Sequence, residues 1–194
     1  MYRRTLITGI LLLASTAAYA HTGVGTTSGF AHGFAHPIGG IDHVLAMVAV
    51  GLFAAHLGGR ALWAVPLSFV TMMVAGGVAG MGGLGLPFVE IGIGLSVVVL
   101  GAAVAFRLHL PTVAAMALVG LFAIFHGHAH GAEMPETASG FEYALGFVLA
   151  TAGLHGCGIG LVLGRIGEAT DDRISRVAGS AMALAGFAIL GGII

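Results

Sequence analysis

His36-Pro37-Ile38-Gly39-Gly40-Ile41-Asp42-His43 runs directly into Val44 to Leu57, a stretch without Asp, Glu, Lys or Arg. Two imidazoles and a carboxylate thus stand at the mouth of an apolar run that, with its flank, reaches the roughly 20 residues needed to cross a bilayer. An ionisable group at the centre of a membrane helix costs about 2.5–3.5 kcal/mol, so such groups are functional-site candidates by default. The chemistry this trio suggests is metal binding.

The rest of the chain agrees with a membrane setting. Mean hydropathy is +1.04. Hydrophobic residues make up 58% and charged residues 8%, against about a quarter charged in a soluble domain. Net charge is −1, all seven basic residues are arginines, and no basic patch exists to hold nucleic acid. Glycine, at 34 residues, lets helix backbones approach closely in lipid. The single cysteine, Cys157, forbids an internal disulfide and any thiolate cluster. Nitrogen, oxygen and thioether groups remain as ligands.

Residues 1–20 show Arg3-Arg4, the apolar stretch Leu6 to Ala14, and Ala18-Tyr19-Ala20. This is the three-part pattern of a secretory signal, cleaved after Ala20. Residues 21–37, rich in Gly, Thr, Ser and His without an apolar period, read as an extended or loosely ordered external segment. Residues 38–194 divide into apolar runs at 38–57, 61–81, 86–106, 111–130, 141–164 and 176–194. The expected fold is an all-α membrane protein, a six-helix transmembrane bundle behind a cleaved signal peptide. With the mature N-terminus outside, the inner loops contain Arg60, Arg107, Arg165, Arg173 and Arg176, all the arginines of the mature chain. Arginine-rich loops mark the cytoplasmic side, so both mature termini fall outside. Gly76 and Gly80, and Gly156, Gly160 and Gly164, recur at the spacing of close helix crossings.

Depth then sorts the polar residues. His36 lies seven residues before His43, two turns away on the same face if the helix extends that far. Glu90 sits about one turn inside the outer end of the third run. In Phe125-His126-Gly127-His128-Ala129-His130-Gly131, His126 and His130 are four apart and share a face; Glu133 follows. His155 lies near the middle of the fifth run. All stand in the outer half of the bilayer or at its midplane. The candidate ligands are His36, Asp42, His43, His126, His128, His130, Glu133 and His155, with His21, His32 and Glu90 behind them. Imidazoles and carboxylates without thiolates suit a borderline divalent ion, nickel, cobalt, zinc or copper. Cleavage after Ala20 would give His21 a free α-amine beside its imidazole, a chelating pair. Met47 reads as a core residue, and His56 and His109 fall at the cytoplasmic end.

An enzyme is not expected. Ser68 and Ser96, the serines well inside the runs, lie outside any Gly-x-Ser-x-Gly turn. His-Glu-x-x-His and the phosphate-binding Gly-x-x-x-x-Gly-Lys are absent, so transport would need a gradient or a partner.

His36-Pro37, Gly40, Asp42-His43, and Phe125-His126-Gly127 through Ala129-His130-Gly131 with Glu133, resemble the two signatures of the HupE/UreJ family. The likeness extends to the signal peptide and to Leu154-His155-Gly156. It implies a bacterial inner-membrane secondary permease for nickel, with cobalt as the other cargo, serving hydrogenase or urease and their maturation proteins. The chain is also similar to the larger nickel/cobalt transporter family, but five residues separate His36 from Asp42, one more than that family uses. The alternative is a membrane accessory protein that binds nickel without moving it.

Overall fold

The computed structural model describes residues 29–134, 139–164 and 171–194. The signal sequence, His21 and Arg165 lie outside them. The described residues form seven helices and no strand: α1 (Gly29–Gly39), α2 (Ile41–Leu57), α3 (Ala61–Met81), α4 (Val89–Ala105), α5 (Thr112–Ala132), α6 (Gly140–Leu163) and α7 (Asp171–Leu190).

By length and composition α3, α5, α6 and the Arg173–Leu190 part of α7 are able to cross a membrane. The first expected span is different. Residues 29–39, expected to be loose, are helical, and α1 meets α2 at a bend of 82°. The pair meets the membrane-span criteria only when taken together. α4 is apolar but has 17 residues, about 26 Å at 1.5 Å per residue against a hydrocarbon core of about 30 Å. It starts at Val89 rather than residue 86, after Phe88 in a left-handed turn (φ 60°).

α2 is the central helix and touches every other one. Met47, Ala49, Val50, Phe53 and Ala54 are fully buried, which explains why α2 is apolar on all sides rather than on one stripe. Around it α3 packs on α5, α4 on α7, and α1 on α6. The outer surface is apolar as well: Trp63, Leu67, Leu121, Leu149 and Leu184 are each more than half exposed or close to it. That is the surface a bilayer solvates.

Three crossings depend on missing side chains. A Cβ on Gly33 would run into the Tyr143 carbonyl of α6; this contact holds α1 as a helix where local composition gave no sign of one. A Cβ on Gly127 would meet the Met73 carbonyl of α3, and one on Gly51 of α2 the His155 carbonyl of α6. Gly76 and Gly80 pack on α5 as their spacing suggests, whereas Gly156 and Gly160 meet nothing within 4 Å and Gly164 only its own helix. The α6 row therefore faces outward, and its expected role in packing the bundle is not realised.

The two ends of the bundle differ. His36, Glu133 and Tyr143 gather at one end. At the other, His56, Arg107 and Ser175 line a cavity of about 150 Å³.

Candidate metal centre

The bend between α1 and α2 builds the first half of the site. Pro37 is buried in the last turn of α1, and Gly40 is extended (φ −98°, ψ 124°), its carbonyl accepting the Val44 N–H to start α2. A Cβ on Gly40 would lie 2.7 Å from Asp42 Oδ1 and 3.0 Å from His43 Nδ1, so only glycine leaves room for that pair. Asp42 Oδ1 accepts the backbone N–H of His43 and, at 2.8 Å, its ring Nδ1–H. A carboxylate has no proton to give, so Nδ1 carries the hydrogen and Nε2 keeps a lone pair. That nitrogen is buried without a hydrogen-bond partner among the described residues. Asp42 thus orients His43, as carboxylates behind metal-bound histidines do.

α5 supplies the second half. Its Gly127 and Gly131 face α3, which turns His126 and His130, four residues apart, toward α1 and α2. The rings meet across the interface: His36 to His130 at 4.6 Å between centroids, His130 to His43 at 4.3 Å, His43 to His126 at 4.7 Å. The helix break does not separate His36 from His43; both contact His130. At the mouth, His36 Nε2 lies 3.6 Å from Glu133 Oε2. His36, His130 and Glu133 each offer a ligand atom within 4.8 Å of the others, a spacing a metal ion can bridge.

Burial makes this cluster costly without an occupant. His126 is fully buried, His130 5% and His43 8% exposed. Besides His43 Nε2, His126 Nδ1 and both nitrogens of His130 lack a partner among the described residues. Each buried polar atom left unsatisfied costs about 1–3 kcal/mol, and native structures keep few without a reason.

Deeper in the bundle, His155 on α6 is 2% exposed with neither ring nitrogen partnered among the described residues. The Phe69 ring stands between it and the cluster, 5.8 Å from His126 and 5.1 Å from His155. His155 also borders an apolar cleft of about 450 Å³ between α3 and α6, lined by Trp63, Pro66, Leu67 and Gly156.

Other candidates stand apart. His128, two residues from both His126 and His130, points elsewhere on α5; its Nε2–H donates to the Leu84 carbonyl of the α3–α4 connection at 2.5 Å. Glu90 is exposed in the first turn of α4, away from the imidazoles. His32, half-buried, sits one turn before His36 with ring centroids 5.9 Å apart. Met47 is a core residue.

Two neighbours were not singled out for the site from sequence. Ser96 Oγ lies 2.8 Å from His126 Nε2; a lone hydroxyl inside an apolar helix was the available signal. Tyr143, 4% exposed with an unpartnered hydroxyl, lies 5.9 Å from His32 and 6.1 Å from His36 between ring centroids. Its place at the mouth depends on the α1–α6 crossing, which leaves no mark in the sequence around it.

The profile of the family described as HupE / UreJ protein matches residues 9–189. Protein HupE of Rhizobium leguminosarum bv. viciae is 47% identical over 191 residues, which cover 98% of this chain and 99% of that protein. No solved structure matches. Agreement over nearly the whole length of both chains goes well beyond the two histidine motifs, and the chain belongs to the HupE/UreJ family.

Proposed function

We propose that this protein is a secondary permease that carries a divalent transition metal, nickel with cobalt as a competing cargo, from the periplasm to the cytoplasm for metalloenzyme maturation. The observation that carries this reading is the convergence of His36, His130, His43 and His126 with Glu133 and Asp42 at one end of an apolar bundle. Neutral imidazole and carboxylate donors without thiolate suit nickel and cobalt, and do not suit the hard ions magnesium and calcium. The choice of nickel rests on the family resemblance.

In this reading the bundle has six spans in the bacterial inner membrane, the α1–α2 pair and α4 among them, with both mature termini periplasmic. Arg60 and Arg107 lie at the end opposite the cluster, as the positive-inside rule requires of the cytoplasmic face. The ion binds first between α1, α2 and α5, then passes Phe69 to His155, a site of fewer donors that releases it more readily. Maturation proteins of a nickel enzyme are the receivers.

The test is radiotracer nickel and cobalt uptake by the purified protein in liposomes. Accumulation that saturates and needs no ATP is expected. Tight binding without uptake would instead establish the accessory reading, in which the protein holds nickel at the membrane.

A further inference from the structure

α4 is built from Gly, Ala, Val, Leu and Ile apart from Glu90 in its first turn and Ser96. Ser96 is completely buried. Its Oγ is 2.6 Å from the Ile93 carbonyl one turn back and 2.8 Å from Nε2 of His126 on α5. A hydroxyl has one proton and a carbonyl oxygen only accepts, so the Ser96 proton goes to Ile93. The oxygen then accepts from His126, and Nε2 must bring the hydrogen. A neutral imidazole carries one N–H; Nδ1 is therefore the nitrogen with the lone pair, and it has no partner among the described residues.

His43, the ring next to it at 4.7 Å, is held the opposite way, Nδ1–H bound to Asp42 and Nε2 left bare. We propose that Ser96 is a positioning residue that fixes His126 as the Nε2–H tautomer, so that Nδ1 is the atom it presents to the metal ion. Two adjacent imidazoles then offer different nitrogens to one cation, one locked by a carboxylate and one by a hydroxyl. The hydroxyl does so without adding charge: a second buried carboxylate beside His126 would itself need a counter-ion in the apolar core, whereas a serine that returns its proton to its own helix is satisfied in the resting state.

This inference rests on the cluster being a metal site, and its test separates the two. The full-length protein in detergent, labelled with 15N in histidine, is examined first without metal; His126 is assigned by comparison with His126→Asn. The expected spectrum has His126 protonated at Nε2 and bare at Nδ1. A wild-type His126 protonated at Nδ1, or divided between both forms, would overturn the proposal without any variant of Ser96. Ni2+ affinity is then measured by titration for Ser96→Ala and Ser96→Thr. Loss of an outer hydrogen bond of this kind lowers metal affinity about 10–100-fold, and Thr, which keeps the hydroxyl, should restore it. A Ser96→Ala protein that is monodisperse and binds Ni2+ like wild type would also overturn the proposal, since a serine that only packs would leave affinity unchanged. Failure of the wild type to bind either Ni2+ or Co2+ would sink the functional reading, and is distinguished because the tautomer is read with no metal present.

Discussion

Histidines occupy both ends of the bundle, and the groups around them give the two ends opposite characters. At the α1–α2–α5 end the imidazoles are buried, their free nitrogens unpartnered among the described residues, and their charged neighbours are the carboxylates of Asp42 and Glu133. At the other end His56 and His109 stack at 4.6 Å, but His109 is exposed and Arg107 Nε–H donates to His56 Nδ1 at 3.3 Å. Two unit charges 4 Å apart interact by about 1 kcal/mol in water and about 4 kcal/mol near a protein surface. A dication feels twice that, attractive beside a carboxylate and repulsive beside a guanidinium. Equal pairs of imidazoles thus make a place to bind at one end and a place to leave at the other.

The sharpest way to break this contrast is His130→Ala. His130 touches both His36 and His43, so its removal should abolish Ni2+ binding in titration calorimetry; wild-type affinity would mean that the cluster is not the site. His155→Asn should leave equilibrium binding intact and stop uptake into liposomes. Full uptake would make His155 a packing residue only. Asp42→Asn keeps the shape but not the charge or the fixed tautomer of His43, and affinity should fall about 10–100-fold. Gly127→Ala pushes a methyl into the Met73 carbonyl and should cost about 1–3 kcal/mol, seen as a lower melting temperature in detergent. Gly156→Ala, with nothing within 4 Å, should melt like wild type. The smallest effect belongs to the opposite end: His56→Ala with His109→Ala should change Ni2+ affinity less than about threefold, the range of substitutions away from a binding feature. A large loss there would erase the distinction between the ends.

Much of this was legible in the chain. Long apolar runs, arginine placement and the i, i+4 spacing of His126 and His130 are local signals, and local physics decides them. Glu133, three residues beyond the helical face, was found because its neighbours pointed to it. What failed to show were matters of contact. Residues 29–39 have no apolar period, and only the fit of Gly33 against α6 makes them a helix. The 82° bend at Gly40 replaces the continuous helix that would have put His36 over His43, yet a third ring, His130, unites them. His128 shares a motif with His126 and His130 but sits on another side of α5, where a loop carbonyl takes its proton. The outward row on α6 has the spacing of an inner one, because spacing says that a face is smooth and not which neighbour uses it.

The crossing of Gly51 with α6 bears on the electrical behaviour of the membrane. There α2 and α6 meet backbone to backbone beside His155, with no space for a methyl group, and Met47, Val50 and Phe53 fill the centre of the bundle. No file of water runs from the histidines to the cytoplasm, and a bare ion does not cross such a layer. Protons and sodium therefore do not leak down their gradients through this conformation. Net current requires α2 and α6 to part and close again for each passage, so the protein should show no unitary conductance in a planar bilayer, and a cell can keep many copies without discharging its membrane potential.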